Sequence, residues 1–308
     1  MARKPRGRPV HGWIVLDKPE GITSSRAVAL VRRMLDAAKA GHAGTLDPLA
    51  SGVLPIALGE ATKTVGYVMN GRKRYRFTLR WGEARATDDA EGALTATSAT
   101  RPSSPAIAAA LPDFEGVIAQ RPPDYSAVKI EGARAYALAR QGRAPILGSR
   151  PIAVESLRLV EMPDADHASF EAVVGKGAYI RALGRDLAQA LGTVAHVTAL
   201  KRLSVGGFTL ERAISLDKLA ALGHSAGASE HLLPLETGLD DIPALALTEE
   251  EVRALRCGRA VTPWRPQDRA RIDAISKGAT VRATSNGRLV ALVAVEAGLI
   301  RPVRVLNV

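Results

Sequence analysis

The sequence of 308 residues contains a single cysteine and no long apolar segment. Cys257 alone can form neither an intrachain disulfide nor a Cys-rich zinc cluster nor a CxxC redox pair, which favours a reducing compartment. The basic first ten residues are not followed by the apolar core of about 7 to 15 residues that marks a signal peptide. Nowhere do about 18 apolar residues run together. We therefore expect a cytoplasmic protein with no membrane-spanning segment.

Acidic residues are also in short supply. There are 31 Asp and Glu against 42 Lys and Arg, a net charge of +11. Residues 1–80 carry 15 basic and 5 acidic side chains, residues 241–308 carry 11 and 7, and residues 81–240 between them carry 16 and 19. Because the excess lies at the two ends of the chain, we expect a basic surface on a more neutral scaffold, and a polyanionic partner.

Length and composition predict a folded chain of about two domains, at roughly 100 to 200 residues each. Hydrophobic residues make up 46% and charged residues 24%, close to the globular average. Residues 1–10 form a basic arm that either contacts a nucleic-acid backbone or is simply solvated. A break in periodicity at about 223–246 separates a catalytic unit, 11–240, from a small unit, 241–308.

Periodicity predicts several elements. Residues 13–16 read as a buried strand, and a helix follows the possible N-cap hydroxyls of residues 23–25. Residues 73–81, KRYRFTLRW, alternate strictly, as a half-buried strand does. Residues 168–174 predict a strand, 175–177 a turn, and 180–191 an amphipathic helix. The Gly- and Pro-rich stretch at about 123–151, around a short helical segment, is typical of an insertion or long binding loop.

In the small unit, Thr248 and Glu251 fit a capping box at the start of a helix that Gly258 can end. Residues 285–287, Ser-Asn-Gly, fit a hairpin turn between two strands. One helix with short strands in about 60 residues predicts a small β-barrel.

The densest turn signals surround Asp47. Glycines at 41, 44 and 52 let the backbone approach a ligand closely, and Pro48 biases Asp47 away from the α region. A carboxylate on a constrained loop is thereby presented. For an isolated Asp-Pro, capping of a turn is the common alternative.

Here the residues resemble a known family. The segment GHAGTLDPLASGVLPIALGEATK, residues 41–63, closely resembles the catalytic segment of the bacterial tRNA pseudouridine synthase B (TruB) family, and Asp47 falls on that family's indispensable aspartate. Four further stretches agree in order: Leu16–Pro19, Lys73–Tyr75, Lys176–Arg181 and His196–Leu203.

The resemblance implies an α+β pseudouridine synthase fold with a mixed central sheet and flanking helices, plus a C-terminal PUA-like barrel. It implies that Asp47 acts as nucleophile or as base, that Arg181 pairs with it, and that Tyr75 stacks on the target base. It also implies substrate-binding residues: Tyr179 and Leu200 as pocket walls, His42 in the stack that the flipped nucleotide vacates, and Lys18 and Lys63 in loop packing or phosphate contact.

The aromatic and basic residues have simpler interpretations as well. Tyr75 and Tyr179 lie on apolar stripes where core packing alone explains them. Arg181 fits a solvated helix position, and His42, flanked by small residues, fits a turn.

The family's activity is the conversion of uridine 55 in the T-loop of tRNA to pseudouridine by base flipping. We expect a monomeric, stand-alone isomerase that binds the T-arm and uses no cofactor, metal or obligatory protein partner. One alternative is a guide-RNA-dependent synthase with the same core, although such enzymes usually carry a longer C-terminal domain. Another is a tRNA-folding chaperone, for which a basic surface would suffice and the Asp47, Tyr75 and Arg181 set would not be needed.

Overall fold

The computed structural model describes residues 7–126, 128–130, 133–139, 141, 143, 147–223, 227, 230–262, 279–296 and 298–307. Residues 1–6 of the predicted arm and parts of the predicted insertion lie outside the described residues. The α-helices are Ser24–Met34 (α1), Val65–Asn70 (α2), Ser104–Ala110 (α3), Ala135–Ala139 (α4), Ile180–Ala190 (α5), Leu216–Leu222 (α6) and Glu249–Arg256 (α7).

The strands run from β1 to β18 in chain order. They are Gly12–Lys18 (β1), Ala40–His42 (β2), Ser51–Leu58 (β3), Lys73–Trp81 (β4), Glu83–Arg85 (β5), Leu94–Thr97 (β6), Gly116–Gln120 (β7), Lys129–Ile130 (β8), Ala133–Arg134 (β9), Arg150–Glu161 (β10), His167–Val174 (β11), Ala195–Val205 (β12), Phe208–Thr209 (β13), Ile214–Ser215 (β14), Ala244–Ala246 (β15), Thr280–Ser285 (β16), Arg288–Glu296 (β17) and Leu299–Val305 (β18). Single 3₁₀ turns at Gly59–Lys63, Leu111–Phe114, Leu210–Arg212 and Leu235–Leu239 connect them.

A ten-stranded mixed sheet forms the scaffold. Its order is β14-β1-β3-β12-β4-β11-β10-β7, with β13 on β12 and β2 on β3. The β1–β14 and β12–β3 pairs are parallel, and the other pairs are antiparallel. The predicted α+β class with a mixed central sheet is confirmed.

Strand β4, at the middle of this sheet, matches its predicted bounds of 73–81. Its odd-numbered residues are buried, and Phe77 stacks on Phe170 of β11 with ring centroids 5.3 Å apart. Its even-numbered residues face outward, where Arg74 pairs with Glu171 of β11 at 2.5 Å. One face therefore joins the core and the other carries exposed ion pairs.

Helices α1 and α5 pack on the buried face. In α1 the inward residues are Ala27 and Val31, and the N-cap hydroxyl is that of Thr23, which accepts from the Arg26 N–H at 3.2 Å. In α5 they include Leu183 and Leu187. Both predicted helices are confirmed, and α5 begins at the residue before Arg181.

The C-terminal residues form a second sheet in the order β15-β16-β17-β18. Its helix α7 has the predicted capping box, in which Thr248 and Glu251 bond each other's backbone N–H groups. At the predicted hairpin turn, Asn286 and Gly287 have φ of +50° and +74°, the left-handed values that a type I′ turn needs.

This second sheet is attached to the first through a shared core. Leu289, Leu292 and Leu306 belong to the same buried cluster as Trp13 of β1 and Phe208 of β13. The last strand is also tied to the 3₁₀ turn that follows β3. There, the Glu60 carboxylate accepts from the Lys63 ammonium at 2.7 Å and from the Asn307 N–H at 2.8 Å.

In the described part of the chain, no helix is long and apolar enough to cross a membrane.

Candidate active site

Asp47 and Arg181 meet between the loop that joins β2 to β3 and the first turn of α5. The Arg181 Nε donates to the Asp47 Oδ2 at 2.9 Å. The Arg181 side chain is only 4% exposed, whereas that of Asp47 is 33% exposed. A solvent-accessible carboxylate is therefore held in place by a buried cation.

The remaining donors of Arg181 hold two other loops. Nη1 donates to the Thr87 carbonyl at 2.7 Å and lies 3.5 Å from the Asp89 carboxylate. Nη2 donates to the Tyr125 carbonyl at 3.0 Å. Three segments that are distant in sequence thus converge on one planar group, and Arg181 is not the solvated helix residue of the simpler interpretation.

Asp89 is a site residue that the sequence reasoning missed. It is buried, and its carboxylate accepts from the Thr87 hydroxyl and, at 3.1 Å, from the Glu91 N–H. Burial raises the pKa of Asp89, while the Thr87 hydrogen bond and the Arg181 charge act in the opposite direction. The available signal was the adjacent acid pair at 88–89, which has no periodic pattern around it.

Asp88, its neighbour, serves a second arginine of α5. Arg185 lies one helical turn after Arg181, and its Nη1 donates to Asp88 at 2.8 Å while its Nη2 donates to the Arg121 carbonyl at 2.7 Å. Arg181 and Arg185 therefore fix the same two segments, the turn at 87–89 and the chain at 121–125.

Lys18 supports the Asp47 loop from the end of β1. Its side chain is fully buried, and its Nζ donates to the carbonyls of Ile22 at 2.8 Å, Pro19 at 2.9 Å and Pro48 at 3.3 Å. Burial lowers its pKa to about 8, against the opposing charge of Asp47. Of the two roles predicted for Lys18, this geometry favours loop packing over phosphate contact.

Lys63 lies at the junction of the two sheets. Its Nζ donates to Glu60 and, at 2.9 Å, to the Val305 carbonyl of β18. Burial alone would raise the pKa of Glu60, but the hydrogen bonds from Lys63 and Asn307 lower it overall. Packing is again the role that the contacts favour.

Ser24 has a function other than helix capping. Its hydroxyl donates to the Leu46 carbonyl at 2.9 Å and accepts from the Leu46 N–H at 2.8 Å. The first turn of α1 therefore fixes the residue next to Asp47.

Two of the glycines predicted to approach a ligand lie against Arg202. Gly52 has φ +98°, and a Cβ there would lie 2.2 Å from the Arg202 carbonyl oxygen. Gly44 has φ +107°, and its Cβ would lie 3.5 Å from the Arg202 Nη1. A Cβ at Gly41 would have open space around it, with no neighbouring atom within 4 Å.

The other predicted site residues are Tyr75, Leu200, Tyr179 and His42. Tyr75 and Leu200 are 7% and 5% exposed, and both belong to the hydrophobic core that contains Leu46. Tyr179 precedes α5, with the Arg150 guanidinium carbon 5.2 Å from its ring centroid. His42 ends β2 opposite Ile56 of β3.

Within the described ranges, no three His, Cys, Asp or Glu side chains come together as metal ligands would. The chemistry available from the residues in place is that of a carboxylate: nucleophilic attack or proton abstraction, with a fixed guanidinium beside it.

Comparison with known proteins agrees on one family. Residues 32–180 match the model described as TruB family pseudouridylate synthase (N terminal domain), and residues 181–240 match that of the tRNA pseudouridylate synthase B C-terminal domain. A protein of Rhodospirillum rubrum named tRNA pseudouridine synthase B is 55% identical over 307 residues, covering 100% of both chains. One of that name from Gluconacetobacter diazotrophicus is 55% identical over 306 residues, covering 99% of this chain and 100% of its own.

A similar solved structure is a chain from a Cbf5-Nop10-Gar1 complex, with a TM-score of 0.72 and 28% identity. The match covers 93% of this chain and 78% of that one.

Proposed function

This chain belongs to the TruB family of pseudouridylate synthases, and from that membership we propose that it isomerises uridine 55 in the T-loop of tRNA, with Asp47 as the reacting group. The enzyme is an isomerase. Its relatives named tRNA pseudouridine synthase B match the chain along its whole length, and this full-length similarity supports tRNA as the substrate.

The reaction sets clear requirements. The N-glycosidic bond to uracil must break, the base must turn while it stays bound, and a new bond must form from C5 to the ribose. C5 loses its proton and N1 gains one, so the product is an isomer of the substrate. A carboxylate meets the first need as a nucleophile or the last as a base. We propose that Asp47 takes one of these roles.

One observation carries the proposal: a carboxylate that is one-third exposed is anchored at 2.9 Å by an arginine that is almost fully buried. A turn-capping aspartate would not need a buried cation that also binds Thr87 and Tyr125. The exposure leaves Asp47 open to a flipped base, and the guanidinium holds the carboxylate in one orientation.

The surrounding residues are proposed to form the pocket. Tyr75 stacks on the target base, Leu200 and Tyr179 wall the pocket, and His42 fills the stack that the flipped nucleotide leaves. Tyr75 and Leu200 are buried in the same hydrophobic core as Leu46, the residue before Asp47, and this shared core supports the proposal.

We also propose a division of labour along the chain. Residues 11–240 would carry catalysis, residues 241–308 would bind RNA as a PUA-like unit, and the basic arm at 1–10 would contact the RNA backbone. The separate sheet β15–β18, with its own buried core, supports the second unit. The protein would act as a monomer in the cytoplasm, without a cofactor.

A guide-dependent enzyme is the main alternative, since a similar fold occurs in a Cbf5-Nop10-Gar1 complex. The relatives named tRNA pseudouridine synthase B are much more similar in sequence, since the Rhodospirillum rubrum protein is 55% identical to this chain and the chain in the Cbf5-Nop10-Gar1 complex is 28% identical. This difference favours a stand-alone enzyme.

The test is to incubate the purified protein with unmodified tRNA transcript and no other component, then map pseudouridine by mass labelling. The expected result is stoichiometric pseudouridine at position 55 alone. Modification that appears only after a guide RNA or partner proteins are added would favour the alternative.

Asp47→Asn is the matched variant, because Asn keeps the size and turn preference of Asp but removes its charge. We expect RNA binding to survive and the single-turnover rate to fall by several orders of magnitude. A variant within about tenfold of wild type would leave Asp47 as a turn cap and favour the chaperone function.

A further inference from the structure

One buried arginine of β12 holds both ends of the loop that carries Asp47. The Arg202 Nε donates to the Val53 carbonyl at 2.7 Å, on the side where the loop enters β3. Its Nη2 and Nη1 donate to the carbonyls of Gly44 at 3.1 Å and Thr45 at 3.4 Å, on the side that precedes Asp47. A single planar group therefore spans the loop and sets the separation of its two limbs.

The location of Arg202 excludes a direct role in RNA contact. Its side chain is 1% exposed, and no carboxylate forms an ion pair with it among the residues that the structure describes. Burying a charge with backbone carbonyls as its only partners is unfavourable compared with an apolar side chain. Stability alone does not account for an arginine here, so its geometry is the property to explain.

Two glycines allow the chain on either side of Asp47 to lie close to Arg202. Gly52 lies beside Arg202 in the parallel β3–β12 pairing, where a Cβ would clash with the arginine backbone. Gly44 has positive φ and leaves its carbonyl directed at Nη2. A lysine ammonium donates from one nitrogen. It cannot replace the guanidinium, whose three nitrogens bond carbonyls on both sides of the loop.

We propose that Arg202 is a positioning residue for Asp47, fixing both limbs of its loop so that the carboxylate meets Arg181 and the substrate in one geometry. This inference rests on the proposed role of Asp47. Arg181 orients the carboxylate itself, and Lys18 holds the Pro48 carbonyl from the β1 side. Arg202 supplies the third support, from the sheet beneath.

The test is Arg202→Lys, with Arg76→Lys as its matched control. Arg76 lies on the exposed face of β4, opposite Lys201 of β12, and so reports the same substitution one strand away without contact to the loop. In Arg202→Lys we expect a 10- to 100-fold lower single-turnover rate at saturating tRNA, because displacements of about 1 Å cost that much. The RNA affinity of Arg202→Lys should stay within threefold of wild type. For Arg76→Lys, both the single-turnover rate and the RNA affinity should stay within twofold of wild type.

A second measurement does not depend on turnover. The N–H groups of Leu46 and Ala50 are bonded to the Ser24 hydroxyl and the Asp47 carbonyl, so their hydrogen exchange reports the loop directly. We expect exchange at both to quicken more than tenfold in Arg202→Lys and to stay unchanged in Arg76→Lys. Hydrogen exchange can be measured even if the wild-type protein is inactive. Inactivity would refute the proposed function but would leave open whether Arg202 fixes the Asp47 loop.

Two outcomes would overturn the inference. A wild-type rate together with wild-type exchange would show that Arg202 only packs, and equal losses of rate and RNA affinity would show that it serves binding.

If Arg202→Lys does not fold, Gly44→Ala is the alternative variant, because it shifts one side of the loop while Arg202 stays in place. Its control is Gly116→Ala, which is also at positive φ but has open space around it. A rate loss confined to Gly44→Ala supports the inference, and equal rates contradict it.

Discussion

Replacing Arg181 by lysine keeps the positive charge at the Asp47 carboxylate but removes the planar group that orients it. In the wild-type protein, Arg181 donates at 2.7 to 3.0 Å to Asp47, Thr87 and Tyr125, three partners in three directions. An ammonium donates from a single nitrogen, so it cannot reach all three partners, which are arranged around the separate nitrogens of the guanidinium. The Asp47 carboxylate should therefore keep a positive neighbour in the variant but lose its fixed direction.

The expected fall in rate comes from two effects, the loss of a hydrogen bond to Asp47 and the misplacement of its carboxylate. A hydrogen bond between charged groups contributes about 1.5 to 3 kcal/mol, or roughly 10- to 100-fold in rate if it is needed only in the transition state. Misplacement of the reacting group by about 1 Å costs up to about 100-fold more. We expect the two together to lower the rate by about 10³-fold, within about a factor of ten. This is less than the loss from Asp47→Asn, because the reacting group is still present.

The assay is rapid-quench release of tritium from tRNA labelled at uracil C5, with enzyme in excess over RNA and concentrated enough to bind all of it. Binding should stay within threefold of wild type, since Arg181 is only 4% exposed. Arg101→Lys, in an exposed pair with Asp166, is the control and should be fully active. A rate within fivefold of wild type for Arg181→Lys would refute the orienting role, and a parallel loss of affinity would make Arg181 an RNA contact.

Three further outcomes are expected. Log affinity for tRNA should fall against log salt with a slope of about −3 or steeper, because the basic ends of the chain release counterions from phosphates; a flat plot would contradict this. An isolated T-arm hairpin should be modified and a fully paired duplex should not, since the base must leave a folded loop; efficient modification of the duplex would disprove base flipping. Because burial lowers the pKa of Lys18 from 10.5 to about 8, folded and unfolded chains are both protonated there below pH 8, and the folded chain loses its proton first as pH rises. In urea unfolding, the free energy of unfolding of the wild type should therefore rise by up to about 3 kcal/mol relative to that of Lys18→Met between pH 8 and 10.5. Parallel plots of unfolding free energy against pH for the two proteins would contradict the pKa shift.

Local pattern predicted the elements that local physics determines. The alternation in β4, the apolar stripe of α5 and the reciprocal bonds of Thr248 and Glu251 each depend on residues within a few positions of one another. The resemblance to the TruB family then pointed to Asp47 and Arg181, which the fold brings together from positions 134 apart.

The support around that pair could not be derived from spacing. Asp89 and the Tyr125 carbonyl reach Arg181 only because two loops fold over α5. Lys18 and Arg202 are charged residues at fully buried positions, contrary to the usual exposure of Lys and Arg, so composition assigns them to the surface. Their partners are backbone carbonyls, which carry no sequence signal.

The core shared by Trp13 and Leu306 has a consequence for synthesis of the chain on the ribosome. Trp13 emerges long before Leu306, yet both are fully buried in the same cluster. Contacts between residues so far apart in sequence form slowly, and these cannot form until Leu306 has left the ribosome. Nascent chains that stop short of Leu306 should therefore hold an incomplete core with Trp13 accessible, and resistance to protease should rise once Leu306 has emerged.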